Sequence, residues 1–273
     1  MGDHPEPFIV TDCAEPADLL EIALQAADVA VELITQQRPN HLATSTKSSP
    51  TDLVTEMDRR AEQLISDVIL AARPQDLIRG EEGVAASGES ATAPVTWWVD
   101  PIDGTTNYVY DHPGYAVSIA AEVDGVTVAG VVADPTHGRT YHARAGGGAW
   151  CDETRLSLAE PPDLADALVA TGFAYIPERR RAQAEVLARI IDQIRDVRRM
   201  GAAALDLCSV AAGRVDAYFE AGLSQWDYAA GSLVAVEAGA VVCSLEGGAV
   251  RPGSVLCAHP ALAAQLVDLL AEA

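Results

Sequence analysis

Three short stretches place acidic side chains where the backbone must turn. The most informative is Trp97-Trp98-Val99-Asp100-Pro101-Ile102-Asp103-Gly104-Thr105-Thr106-Asn107. An apolar, β-prone run delivers Asp100 to the end of a strand, and Pro101 turns the chain there. Asp100 and Asp103, three residues apart across that turn, can face the same point. Gly104 permits close backbone approach, and the N–H groups of Gly104, Thr105 and Thr106 can cradle an anion. Carboxylates beside an anion cradle repel what it binds unless a divalent cation lies between them. The competing reading of the same residues is an Asx-turn with Asp-Pro and Asp-Gly as breakers.

Gly80-Glu81-Glu82-Gly83 follows a short apolar run and offers a second pair of carboxylates, or simply a solvated acidic turn. Trp226-Asp227-Tyr228-Ala229-Ala230-Gly231 puts an Asp at the start of a helix, where capping alone would explain it. Both gain a functional meaning only by joining the first stretch in space.

The elements that must position these residues follow from periodicity. Residues 16–37 have helical apolar spacing, with Pro16 in the first turn and Pro39 beyond the end. Thr55 caps a second helix reaching about residue 72, with Met57, Ala61, Leu64, Ile65, Val68 and Ile69 on one face. Residues 77–79 form a short strand, 83–94 a surface loop, and 95–99 a strand that stops at Asp100-Pro101. Apolar runs at 115–123 and 126–133, joined by Asp124-Gly125, read as a hairpin. Residues 139–144 continue the meander, and Gly146-Gly147-Gly148 ends it. Thereafter strand and helix alternate: strand 168–171, an Arg-rich helix 177–195, helix 202–212, strand 215–219, helix 226–238, strands 241–245 and 255–258, and helix 260–272. Layered α and β architecture in two subdomains follows, with the seam near Asp152: a flexible lead over 1–15, an N-terminal α+β subdomain over 16–151 and a C-terminal α/β subdomain over 152–273.

With 273 residues, 49% of them hydrophobic, the chain can bury a sizeable core. No apolar run reaches the roughly 18–20 residues that span a bilayer. The first 15 residues carry Asp3, Glu6, Asp12 and Glu15 and no Lys or Arg, unlike a secretory leader. Cys13, Cys151, Cys208, Cys243 and Cys257 are odd in number and form no CxxC pair, which reads as free thiols in a reducing cytoplasm. The formal net charge of −22 disfavours nucleic acid and anionic membranes as partners. It would also repel an anionic substrate, unless the site carried cations of its own; a bound metal meets that need. Lys47 is the single lysine, which genome composition alone can explain.

Taken together, the chain resembles the inositol monophosphatase family in five separated blocks: Lys47-Ser48-Ser49-Pro50-Thr51-Asp52-Leu53-Val54-Thr55, Gly80-Glu81-Glu82, Asp100 to Asn107, Gly201-Ala202-Ala203-Ala204-Leu205-Asp206-Leu207, and Tyr218-Phe219-Glu220 through Trp226 to Gly231. They occur in that family's order and approximate spacing, as in its bacterial SuhB-like members. The resemblance implies an α/β (α+β layered) fold of alternating α-β-α-β-α layers, with two subdomains in one compact unit. It implies two or three Mg²⁺ per site. Glu81, Asp100 and the carbonyl of Ile102 would hold the first, Asp100, Asp103 and Asp227 the second, and a looser third would share Glu81. Oxygen ligands suit Mg²⁺.

The nucleophile implied is a metal-activated water, oriented and deprotonated by Glu81 and the Thr105 hydroxyl, with Asp58 polarising Thr105; Asp58 read alone is a surface helix acid. Substrate would meet Ile102, Asp103, Gly104, Thr105, Gly201, Ala202, Ala203, Glu220 and Asp227. Of these, Gly104 and Thr105 would bind phosphate through their N–H groups, and Glu220 would accept from inositol hydroxyls. Glu220 read alone is a strand-end acid. Ala202 departs from the Ser or Thr that many relatives carry, which leaves fine specificity open. Lys47 would head a loop near the third ion, or stand exposed. His4, His41, His112, His137, His142 and His259 match no catalytic position.

The activity implied is hydrolysis of myo-inositol-1-phosphate and similar small phosphate esters in the cytoplasm, by a lithium-sensitive homodimer. Fructose-1,6-bisphosphate, histidinol phosphate and 3′-phosphoadenosine 5′-phosphate are alternative substrates on the same fold. A non-catalytic regulatory or binding protein is the alternative from another class.

Overall fold

A computed structural model describes residues 14–39, 44–46, 53–83 and 93–272. The N-terminal lead, Lys47 and most of the 83–94 loop lie outside the described residues. The elements in chain order are α1 Pro16–Gln36, β1 Thr44–Thr46, β2 Leu53–Thr55, α2 Glu56–Ala72, β3 Leu77–Gly80, β4 Thr96–Asp103, α3 Thr105–Val109, β5 Ala116–Val123, β6 Val126–Asp134, β7 Arg139–Arg144, β8 Gly148–Cys151 and β9 Thr154–Leu156. A 3₁₀ turn at Leu164–Asp166 precedes β10 Leu168–Thr171, α4 Pro177–Ile190, β11 Asp196–Arg198, α5 Ala203–Ala211, β12 Ala217–Ala221, α6 Gln225–Glu237, β13 Val241–Cys243, β14 Ser254–Ala258 and α7 Pro260–Ala271.

Two sheets alternate with three helix pairs. The larger sheet has the order β3-β4-β5-β6-β7-β8-β9 and the smaller β11-β10-β12-β14-β13. Successive side chains on a strand point to opposite faces, and the core follows that alternation. Trp97 and Val99 of β4, with Val117, Ile119 and Ala121 of β5, pack against α1 and α2. Trp98, Ala116 and Ala120 face the other way, onto α5 and α6. The same two helices cover Tyr218, Val255 and Cys257 of the smaller sheet. Its opposite face, including Val169, Phe219 and Leu256, packs on α7 and the end of α4. The result is the five-layer α-β-α-β-α order that the family resemblance implies.

The α5–α6 pair has to be thin, because it is covered by a sheet on each side. Small residues make it so: α5 is Ala-rich and wholly buried, and α6 carries Ala229, Ala230 and Gly231. A Cβ on Gly231 would stand 2.8 Å from Leu207 Cβ and 2.9 Å from the Ala204 carbonyl. The small-residue tail of the Trp226 to Gly231 motif is therefore a packing requirement.

Among the departures from the expected elements, three are informative. The glycine run does not end the meander: Gly148 takes a positive φ of 77° and opens β8, which pairs antiparallel with both β7 and β9. The Arg-rich helix stops at Ile190, and Asp196–Arg198 becomes strand β11, parallel to β10. That helix buries little of its own surface, so tertiary pairing rather than periodicity decides where it ends. Third, β4 does not stop at Pro101 but runs on to Asp103. The described cysteines, 151, 208, 243 and 257, are free thiols. No described helix is long and apolar enough to cross a membrane.

Candidate active site

The passage through Pro101 is possible because the ladder is interrupted there. β4 pairs with β5 up to Asp100↔Ser118 and resumes at Asp103↔Ala116, so β4 spends one residue more than its partner. This is a β-bulge, where a residue lacking an N–H is tolerated and side chains are re-aimed. The Asp100 carboxylate accepts the Ile102 N–H at 3.0 Å, which fixes the bulge from within. Gly104 follows with φ +89°, a left-handed conformation that favours glycine, and starts the short helix α3. A Cβ there would lie 2.7 Å from the Gly114 carbonyl and 3.0 Å from that of Gly201.

Around this turn lies a cavity of about 410 Å³. Glu81, Asp100, Ile102, Asp103, Gly104 and Thr105 line it from the N-terminal half. Gly201, Ala203, Glu220 and Asp227 line it from the C-terminal half. They arrive on several supports, with Asp100, Ile102 and Asp103 sharing β4. The Glu81 N–H donates to the Val99 carbonyl at 3.0 Å, so β3 sets Glu81 beside the end of β4. Asp227 is the third residue of α6, where its carboxylate accepts the Ser224 N–H at 2.6 Å. The capping reading of Asp227 therefore holds, and the same residue lines the cavity. Asp103 accepts the Ala204 N–H at 2.7 Å, satisfying one of the orphan amides at the start of α5. The Asn107 amide donates to the carbonyls of Gly114 at 2.6 Å and Met200 at 2.8 Å, tying the two halves together.

Two expected residues stand behind the wall. Asp58 is fully buried, not a surface acid. It closes a capping box with Thr55 at the start of α2, and its other oxygen lies 3.1 Å from the Thr105 hydroxyl. That hydroxyl is also 3.1 Å from the Ile102 carbonyl. Ala202 is buried at the N-cap of α5 and is not among the residues lining the cavity. Its missing hydroxyl is thus a feature of the core beside Gly104 rather than of the cavity wall.

The electrostatics are those of a crowd of acids. Burial, then the charges of Glu81, Asp103 and Asp227, hold the Asp100 carboxyl well above the usual carboxylate range, and it shares a side-chain hydrogen bond with Glu81. Asp103 is pushed up by burial and then by Asp227, against the Ala204 N–H. The four acids share the cavity without closing on a point: among the described residues, no three Asp, Glu, His or Cys side chains stand at metal-ligand spacing. Buried carboxylates that oppose one another's ionisation, with oxygen as their donor atom, fit hard divalent cations.

At the other end of the cavity, Glu220 accepts from the Tyr218 hydroxyl at 2.8 Å. Burial raises its pKa, with Tyr218 and Arg199 opposing the rise. Gly172, Arg179 and Arg199 are among the lining residues that sequence reasoning missed. A Cβ on Gly172 would stand 1.8 Å from a Glu220 oxygen, so a side chain there would displace the acid. Arg179 and Arg199 bring positive charge into an otherwise acidic cavity. Their signals were weak: Arg179 sits in an Arg-rich run read only as helix, and Arg199 lies two residues before the Gly201 block.

Comparison with known proteins identifies the family. The sequence pattern of the Inositol monophosphatase family matches residues 15–273. Inositol-1-monophosphatase SuhB of Mycobacterium tuberculosis H37Rv is 44% identical over 273 residues, covering 94% of each chain. A protein named Nus factor SuhB, from Pasteurella multocida, is 40% identical over 255 residues, covering 92% of this chain and 94% of that one. The crystal structure of extragenic suppressor protein suhB from Bartonella henselae superposes with a TM-score of 0.86 at 33% identity, covering 93% of this chain and 98% of that one. With sequence and fold matched over nearly its whole length, the chain belongs to the inositol monophosphatase family, a family of phosphoric monoester hydrolases.

Proposed function

We propose that the chain hydrolyses myo-inositol-1-phosphate and similar small phosphate monoesters with Mg²⁺ as cofactor. The observation that carries this reading is the meeting of Glu81, Asp100, Asp103 and Asp227 in the cavity that Gly104, Thr105 and Glu220 also line. In this reading Glu81, Asp100 and the Ile102 carbonyl hold one ion; Asp100, Asp103 and Asp227 hold a second; a looser third shares Glu81. Bound ions supply positive charge against the phosphoryl oxygens, the incoming water and the departing alcohol oxygen.

The chain's own groups do the rest. The Thr105 hydroxyl has one proton to donate, to Asp58 or to the Ile102 carbonyl, which leaves its lone pairs free to accept from water. Water held there would give its proton to Glu81 as its oxygen forms the new bond to phosphorus and the ester P–O bond breaks, the alcohol leaving as an alkoxide that takes a proton from solvent water. The Gly104 and Thr105 N–H groups bind the phosphoryl oxygens. Glu220 accepts from hydroxyls of the alcohol, and Gly201 and Ala203 line its seat. Lithium sensitivity, a cytoplasmic setting and a homodimer belong to the same proposal.

Phosphate release tests it. We expect turnover with Mg²⁺ and loss of turnover in EDTA. Glu220→Gln should raise KM for inositol phosphate far more than for a plain aryl phosphate. Turnover unchanged by EDTA contradicts the metal role, and equal effects on the two substrates remove Glu220 from recognition. The name of the Pasteurella relative favours a second, regulatory reading; a folded chain that releases no phosphate from a panel of esters would favour that reading instead.

A further inference from the structure

Helix α2 carries a second fully buried acid that the proposed chemistry does not use. Glu62 lies four residues after Asp58, so both point to the same face of the helix. Asp58 reaches Thr105. Glu62 reaches the other side of the site: its Oε2 accepts the Glu82 N–H at 2.7 Å. Its carboxylate also lies flat against Gly80, where an added Cβ would stand 2.2 Å from Glu62 Cδ and 2.3 and 2.6 Å from its two oxygens. Gly80 is thus a glycine because the acid occupies the space of its side chain.

Glu62 therefore touches the residue before Glu81 and the residue after it. Glu81 itself is tied to Val99 through its own N–H. The backbone of three consecutive residues is fixed just where β3 ends and the chain leaves the sheet. A carboxylate without solvent exposure costs free energy that an apolar side chain of similar size would avoid. What the acid supplies in return is a strong acceptor for the Glu82 N–H, since hydrogen bonds to ionised groups are shorter and stronger than neutral ones.

We propose that Glu62 is a positioning residue for Glu81, so that α2 aligns both Thr105, through Asp58, and Glu81, through the 80–82 backbone. This rests on the reading of Glu81 as a metal ligand. Groups that orient metal ligands typically change metal affinity about 10–100-fold when removed.

The test uses the full chain stripped of metal, titrated with Mg²⁺ by calorimetry, with the thermal midpoint of the metal-free protein measured alongside. Glu62→Gln keeps the shape and a weaker acceptor, and should weaken Mg²⁺ binding about tenfold. Glu62→Leu should weaken it about a hundredfold, provided it folds; the Gln variant keeps the test intact if it does not. Glu81→Gln is the control. If Glu81→Gln weakens Mg²⁺ binding and Glu62→Gln lowers only the thermal midpoint, Glu62 is structural and the inference fails. If Glu81→Gln leaves the Mg²⁺ affinity unchanged, the ligand role of Glu81 fails first, and this inference with it.

Discussion

At the scale of single residues, the site depends on acids that serve the fold and the cavity at once. One Asp58 oxygen takes the N–H and hydroxyl of Thr55, and the other faces Thr105. Asp227 gives one oxygen to the start of α6 while lining the cavity. Capping and chemistry are combined in the same side chains, so a loss of function has to be separated from a loss of fold. Asp58→Asn retains the shape and much of the cap, whose complete loss would cost about 1 kcal/mol. It removes the charge facing the Thr105 hydroxyl. We expect kcat to fall about a hundredfold, as for a positioned proton acceptor, with KM little changed, in steady-state phosphate release. A rise in KM at constant kcat would instead place Asp58 in substrate binding.

At the scale of elements, the controlling feature is the thin α5–α6 layer between two sheets. Gly231→Ala should destabilise the protein by about 1–3 kcal/mol through overpacking against Leu207 and Ala204. In an exposed helix the same change would stabilise by about 1 kcal/mol. Urea unfolding measures the sign, and a stabilised variant would mean that the helices can separate freely. The helices and hairpins of this layering were legible in the sequence because their cues are local: the Thr55 cap, the Asp124-Gly125 turn, and Pro at the first turn of α1, α4 and α7. Strands β8, β9 and β11 were not, since short strands owe their existence to partners far along the chain. The bulge at Pro101 was hidden for the same reason. Within the site, the acids were legible because hard-cation chemistry restricts residue type. Gly172, Arg199 and Glu62 were not, because their roles exist only once β10, β12, α2 and β3 are assembled.

At the scale of the whole molecule, a net charge of −22 is carried by a fold that also buries acids in its centre. Asp206 shows the consequence apart from the four cavity acids. It is almost wholly buried in α5, and its Oδ1 has no hydrogen-bond partner among the described residues. Burial, and then Glu220, raise its pKa well above the ordinary value, with Arg199 opposing. A folded-state pKa above the unfolded one gives a contribution that is most favourable below the unfolded pKa, about 3.9. It is lost as pH rises through the folded value. Asp206→Asn removes that dependence. The variant should therefore gain stability relative to the parent as pH rises from 4 to 8, by about 1–3 kcal/mol for one buried unsatisfied group. Urea midpoints across that range check it, and a constant difference would show that Asp206 titrates as an ordinary acid.

The expectations about catalysis and metal binding depend on one arrangement, in which acids from the end of β3, from β4 and from α6 hold divalent ions against a phosphoryl group. Anomalous diffraction from crystals soaked in Mn²⁺ and inorganic phosphate tests it most directly. Mn²⁺ peaks are expected within the space bounded by Glu81, Asp100, Asp103 and Asp227, with phosphate beside Gly104 and Thr105. Mn²⁺ bound elsewhere, with this cavity empty of metal at saturating concentration, would contradict it.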